Sequence, residues 1–162
     1  MEPRVRSHDR VKAAQAAATC ACFNVRKATR AVTQFYDDLL RPSGLRTTQF
    51  TLLLLLRGHG PTSINGLADA AGTDRTTLTR NLAILEERRL VRIRPGEDAR
   101  VRIVELTEAG DEATSAAFPL WQKAQALIAK RLGQDRLARL LSDLSAATAA
   151  TDGRGNAVTA PR

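Results

Sequence analysis

The stretch from Ser63 to Leu106 constrains the fold most, because three short apolar patterns follow one another there with almost no room between them. Ser63 suits the N-cap of a short helix through Ala71, whose inner face is Ile64, Leu67, Ala68 and Ala71. Gly72 supplies the turn, and Asp74 caps a second helix running to about Arg89 with Leu78, Leu82 and Leu85 facing inward. Two short helices joined by a three- or four-residue turn containing glycine form a helix-turn-helix. After it, Leu90 to Arg94 and Val101 to Leu106 are rich in Val, Ile and Arg and flank Pro95, Gly96, Glu97, Asp98 and Ala99. That pattern predicts a hairpin with a turn of about five residues.

A helix advances 100° per residue, so burying Leu78, Leu82 and Leu85 turns Thr76, Arg80 and Ala83 to the opposite side, with Thr77 and Thr79 flanking them and Arg75 beside. Glu86 and Glu87 lie in the trailing turns. Short hydroxyl side chains and a guanidinium near the leading end, with acids kept back, suit a helix entering the major groove of DNA. A solvated face behind an N-terminal threonine cluster is the plainer alternative. Arg92, Arg94, Arg100 and Arg102 crowd the hairpin, which is marginal without something to pack on, so its tip is expected to be mobile until it meets a partner. Arg100 suits the minor groove, with Asp98 placed to pair with it, and Arg94 adds a further cation for DNA. An ordinary surface hairpin is the competing description.

The rest of the chain reads as helix. From about Cys20 to Leu40, Cys22, Val25, Thr29, Val32, Tyr36 and Leu39 form one apolar stripe, with Arg26, Lys27, Arg30 and Asp37 opposite. Such a seam requires a neighbour. Pro42, Ser43 and Gly44 stop that helix. A second helix, from about Thr47 to Arg57, is apolar around most of its circumference and so belongs at the centre of a domain. Thr107 caps a long helix through Leu132, in which Pro119 is expected to introduce a kink. A last helix from about Gln134 to Ala150 shows Leu137, Leu140, Leu141 and Leu144 on one side. Residues 1 to 19 read as an extension, and 151 to 162 as a disordered tail.

Composition narrows the partners. The formal net charge is +8 and the isoelectric point about 10.7, which makes nucleic acid the first partner to test, a basic surface kept for solubility being the alternative. Aromatic residues are scarce and helix formers common, so the fold class is mainly α with a small β element. The longest apolar run, Leu52 to Leu56, is too short for a membrane span, and no secretory signal is evident. A cytoplasmic, nucleoid-associated protein is expected. His8 and His59 share no metal-ligand spacing with each other or with Cys20 and Cys22, and no phosphate loop or nucleophile elbow occurs. Neither catalysis nor a cofactor nor a metal is expected. Cys20 and Cys22 are two apart, which on a helix is about 200° around the axis and too divergent to bridge.

The run GLADAAGTDRTTLTRNLAILEERRLV from Gly66 to Val91, followed by PGEDARVRIVELTEAG from Pro95 to Gly110, resembles the MarR family of bacterial winged helix-turn-helix regulators. The likeness covers roughly residues 20 to 144. It implies a winged helix-turn-helix head over 47–106 and dimerisation helices over 20–46 and 107–150. It also implies that Thr76, Thr77, Thr79 and Arg80 face the major groove and that Arg100 is a minor-groove arginine held by Asp98. The expected protein is a homodimeric repressor on a pseudo-palindromic double-stranded site, released by a small aromatic or acidic effector. Phe23, Arg26, Arg30, Phe50 and Trp121 are candidates to line the effector site. Cys22 and Tyr36 also keep the fourteen-residue spacing of the hydroperoxide-sensing branch, though the branch's second tyrosine falls on Thr47 and no later cysteine follows. Cys22 is thus either a redox-active thiol or a small apolar member of the seam. A sequence-indifferent architectural DNA binder is a further alternative.

Overall fold

A computed structural model describes residues 7–98 and 100–151. The predicted extension and tail therefore lie partly outside the described residues. The element order is α1 (Ser7–Thr19), α2 (Ala21–Leu40), a 3₁₀ turn (Arg41–Ser43), α3 (Thr47–His59), β1 (Thr62–Ser63), α4 (Ile64–Ala71), α5 (Arg75–Glu87), β2 (Val91–Pro95), β3 (Arg102–Leu106), α6 (Glu108–Leu132) and α7 (Gln134–Thr151). The mainly α architecture with a small sheet agrees with the expectation. The chain divides after Trp121 into two compact units.

In the first unit α3 is the core helix, and Phe50, Leu52, Leu53 and Leu56 are all buried. Around it gather Leu40, Leu45, Leu67, Leu78, Leu82, Leu85, Val91, Val104 and Ala117. Each fully buried Leu contributes on the order of 1.5–3 kcal/mol of transfer free energy, so this cluster is what holds the short helices in place. Local chemistry sets their ends. Ser63 accepts from the Gly66 amide at 3.0 Å, and Gly72 closes α4 in the left-handed region at φ 58°. Cys20 sits outside both helices as the N-cap of α2, with an extended backbone that separates α1 from α2. The described part of the extension, 7–19, is thus a distinct helix, and Cys20 and Cys22 do not share one helix.

The sheet has three strands in the order β1-β3-β2, all antiparallel. The third strand, Thr62–Ser63, is absent from the sequence reading, because two residues are too short to display an alternating pattern. Arg92 pairs in register with Glu105, and Arg94 lies two residues along the same strand face. The Glu105 carboxylate accepts from both, through Oε1 to Arg92 and through Oε2 to Arg94 Nε at 3.0 Å.

Pro119 lies inside α6 without ending it. In the second unit, Gly133 at φ 85° separates α6 from α7, which has no buried residue and leaves Leu140, Leu141 and Leu144 exposed.

Where α6 begins, Gly110 is buried, and a Cβ placed on it would lie 2.0 Å from the Leu90 carbonyl oxygen. Gly110→Ala should therefore lower stability by about 1–3 kcal/mol through overpacking, read as a fall in Tm. Gly58→Ala, in α3 with nothing within 4 Å, should be neutral or raise Tm. Equal Tm values for the two variants would contradict the packing described. Hydrogen bonds from Arg94 and then Arg92 hold the Glu105 carboxyl below its ordinary value of 4.5. A lowered folded-state value favours the charged form, so this contribution is complete above about pH 4.5 and is lost as the pH falls below it. Thermal melts between about pH 6 and pH 3 should show the parent losing more stability than Glu105→Gln.

Candidate nucleic-acid interface

The geometry of α5 follows from its buried side. Leu78, Leu82 and Leu85 are at most 1% exposed, and the 100° step then delivers Arg75, Thr76, Thr79, Arg80 and Ala83 to solvent. These five line one open depression of roughly 400 Å³. Asp74 caps the helix by accepting from the Thr77 amide at 2.9 Å. Its carboxyl is held below the usual carboxylate range, first by a hydrogen bond with the Thr77 side chain and then by the Thr77 amide. Thr77 is exposed beside this cap, and it is not among the residues that line the depression.

Further bonds lock α5 to the head. Asn81 Nδ2 donates to the Thr77 carbonyl oxygen at 3.0 Å and its Oδ1 accepts from Thr48 Oγ1 at 3.4 Å, tying α5 to α3. Arg88 Nη1 donates to the Gly44 carbonyl oxygen at 2.9 Å. Glu86 Oε1 accepts from the Ile93 amide at 3.2 Å, which holds this trailing acid against β2. Among the described residues, the side chains of Arg75, Thr76, Arg80 and Arg100 make no hydrogen bond or ion pair. Their donors are available to a ligand.

The hairpin tip differs from the expectation in one respect. Asp98 Oδ1 accepts from the backbone amide of Arg100 at 2.9 Å, and the Asp98 carbonyl accepts from the Val101 amide at 2.8 Å. Asp98 therefore shapes the turn through the main chain, as aspartate does in an Asx-turn, and leaves the Arg100 guanidinium exposed. Arg94 is not a free cation, since Glu105 holds it. Glu105 is the residue that sequence reasoning missed. Its signal was an acid set among four arginines, legible only once the strand register is known. Arg57 was also missed: it donates to Asp111 Oδ1 at 2.7 Å and Ser115 Oγ at 2.7 Å, joining α3 to the start of α6.

Phe50 is 1% exposed in the core, with its ring centroid 6.5 Å from that of Trp121, which stacks in turn near Phe118 at 5.4 Å. Phe23, Arg26 and Arg30 are exposed on the first half of α2. Cys22 is exposed there too, and its Sγ lies 3.5 Å from Arg26 Nη2. No group of three or more His, Cys, Asp or Glu among the described residues is arranged to hold a metal, and none of the described helices is long and apolar enough to cross a membrane.

Comparisons with known proteins show which family this fold belongs to. A family model described as MarR family matches residues 43–101. The HTH-type transcriptional repressor NicR of Pseudomonas putida is 35% identical over 96 residues, covering 59% of this chain and 61% of that protein. The chain spans less than two thirds of the curated relatives it matches, 61% and 64%. The M. tuberculosis transcriptional regulator MosR, solved in complex with DNA, is 41% identical with a TM-score of 0.71, covering 81% of this chain and 97% of that one. The repressor CouR, solved with p-coumaroyl-CoA, is 25% identical with a TM-score of 0.72, covering 85% and 96%. With a relative of 41% identity matched over nearly its whole length and the family pattern running through the helix-turn-helix, the chain belongs to the MarR family.

Proposed function

We propose that this protein is a DNA-binding transcriptional repressor that acts as a homodimer on a pseudo-palindromic site. The observation that carries the reading is the α5 depression, where Arg75, Thr76, Thr79 and Arg80 meet on one exposed side next to a hairpin that leaves Arg100 in solvent. α5 is the helix for the major groove, and Arg100 the arginine for the flanking minor groove. The net charge of +8 supplies the attraction to phosphate. NicR is a repressor and MosR is solved on DNA, which supports the same role here.

A second copy is the partner that best accounts for the exposed apolar side chains. Phe23, Val25 and Val32 on α2, and Leu140, Leu141 and Leu144 on α7, are each at least 40% exposed in the single chain. An isologous dimer buries such rows and reads a two-fold site. Release by a small aromatic or acidic molecule rests on the likeness to CouR, with Arg26 and Arg30 as exposed cations for an acid group. No step of catalysis is needed for any of this.

Selection of bound duplexes from random DNA should return a site with two-fold symmetry. On that site Arg80→Ala should cost about 1–3 kcal/mol and relax the preference at one position in each half, whereas Arg100→Ala should weaken binding and reduce the A·T preference beside it. Binding of every duplex with equal affinity, set by salt alone, would instead mark an architectural protein. In sedimentation, the parent should run as a dimer and Leu141→Asp as a monomer; a monomeric parent would contradict the dimer.

A further inference from the structure

The side chains around the α5 depression are not equivalent as readers of bases. A threonine hydroxyl has one hydrogen to donate. Thr79 gives its own to the Arg75 carbonyl oxygen, one turn back, at 2.8 Å. That leaves the oxygen able only to accept, and the Thr79 methyl free for apolar contact. Ala83, four residues on and therefore on the same helix side, adds a second methyl to the same depression. Arg75 lies four residues before Thr79, and Arg80 follows it directly. The surface is thus an apolar floor framed by two guanidinium groups.

In the major groove, thymine is the unmodified base that presents a methyl group, and apolar side chains recognise it by contact. 5-Methylcytosine carries the same group on a different pairing edge. We infer that α5 selects a 5-methylpyrimidine, thymine in unmodified DNA, at the base facing Thr79 and Ala83, and that Thr79 reads it through its methyl and not its hydroxyl. The inference rests on the DNA-reading role proposed above and specifies what that surface recognises. Arg75 and Arg80 are left to take acceptor atoms or phosphates on either side.

The test replaces each thymine of the selected duplex by uracil, one at a time, which removes the methyl and keeps every hydrogen-bonding group. Dissociation constants are measured for the full-length parent, Thr79→Val and Thr79→Ser. At one thymine in each half-site the parent should bind about fourfold more weakly to uracil, the effect of exposing one buried methyl. Thr79→Val, which keeps a methyl there and lacks the hydroxyl, should show the same loss. Thr79→Ser, which keeps the hydroxyl and lacks the methyl, should show a clearly smaller difference between the two duplexes, with Ala83 alone left in contact. Placing 5-methylcytosine·guanine against cytosine·guanine at that position should favour the methylated duplex more with the parent than with Thr79→Ser. The inference is overturned if no thymine can be found whose methyl affects binding, or if Thr79→Val loses the preference while Thr79→Ser retains it. A selected site indifferent to uracil leaves the DNA-reading role standing and removes this one; selection of no site at all removes both.

Discussion

Burial of three leucines on α5 is the constraint from which the interface follows. Leu78, Leu82 and Leu85 occupy the core together with Leu53 and Leu56 of α3, and none is more than 1% exposed. Since the helix turns 100° per residue, fixing that side fixes the other: Thr76, Thr79, Arg80 and Ala83 have nowhere to go except solvent. A polar substitution at Leu82 would therefore be felt on the exposed side of α5 although it touches none of it. Helix register, core packing and ligand chemistry are here one variable.

The second constraint is electrostatic. A hairpin crowded with arginines repels itself, and Glu105 offsets this by accepting from Arg92 and Arg94 while its own side chain stays 14% exposed. Both arginines remain largely in solvent, at 71% and 49% side-chain exposure, so this arrangement orients cations outward from the sheet. Asp98 performs a separate task at the tip by holding the backbone of the turn. Four acids in this head act on structure: Asp74 caps α5, Glu86 holds β2, Glu105 bridges two arginines and Asp98 closes the turn. Each of these four side chains is engaged in a hydrogen bond within the protein.

Much of this was legible in the chain itself. The helix boundaries follow from Ser63, Gly72 and Asp74, whose capping roles are local and need no tertiary information. The outward side of α5 follows from leucine spacing alone. What was not legible depended on partners distant in sequence. Thr62 and Ser63 form a strand only because β3 lies alongside, and Glu105 meets Arg92 only in one strand register. Thr77 and Thr79 look alike in sequence, yet Thr77 gives its amide to the Asp74 cap and Thr79 gives its hydroxyl to the Arg75 carbonyl oxygen. Asp98 was read as a partner for the Arg100 side chain, and the turn uses the Arg100 amide instead. Cys20 was placed within a helix, and its extended backbone makes it the cap between two helices.

The central claim is that α5 lies in the major groove with the hairpin beside it in the minor groove. Dimethyl sulfate footprinting of the selected duplex tests this most directly, because guanine N7 reports the major groove and adenine N3 the minor. The account predicts two patches of guanine N7 protection about one helical turn apart, each flanked by adenine N3 protection. Uniform reactivity along a duplex that the protein has saturated would contradict it.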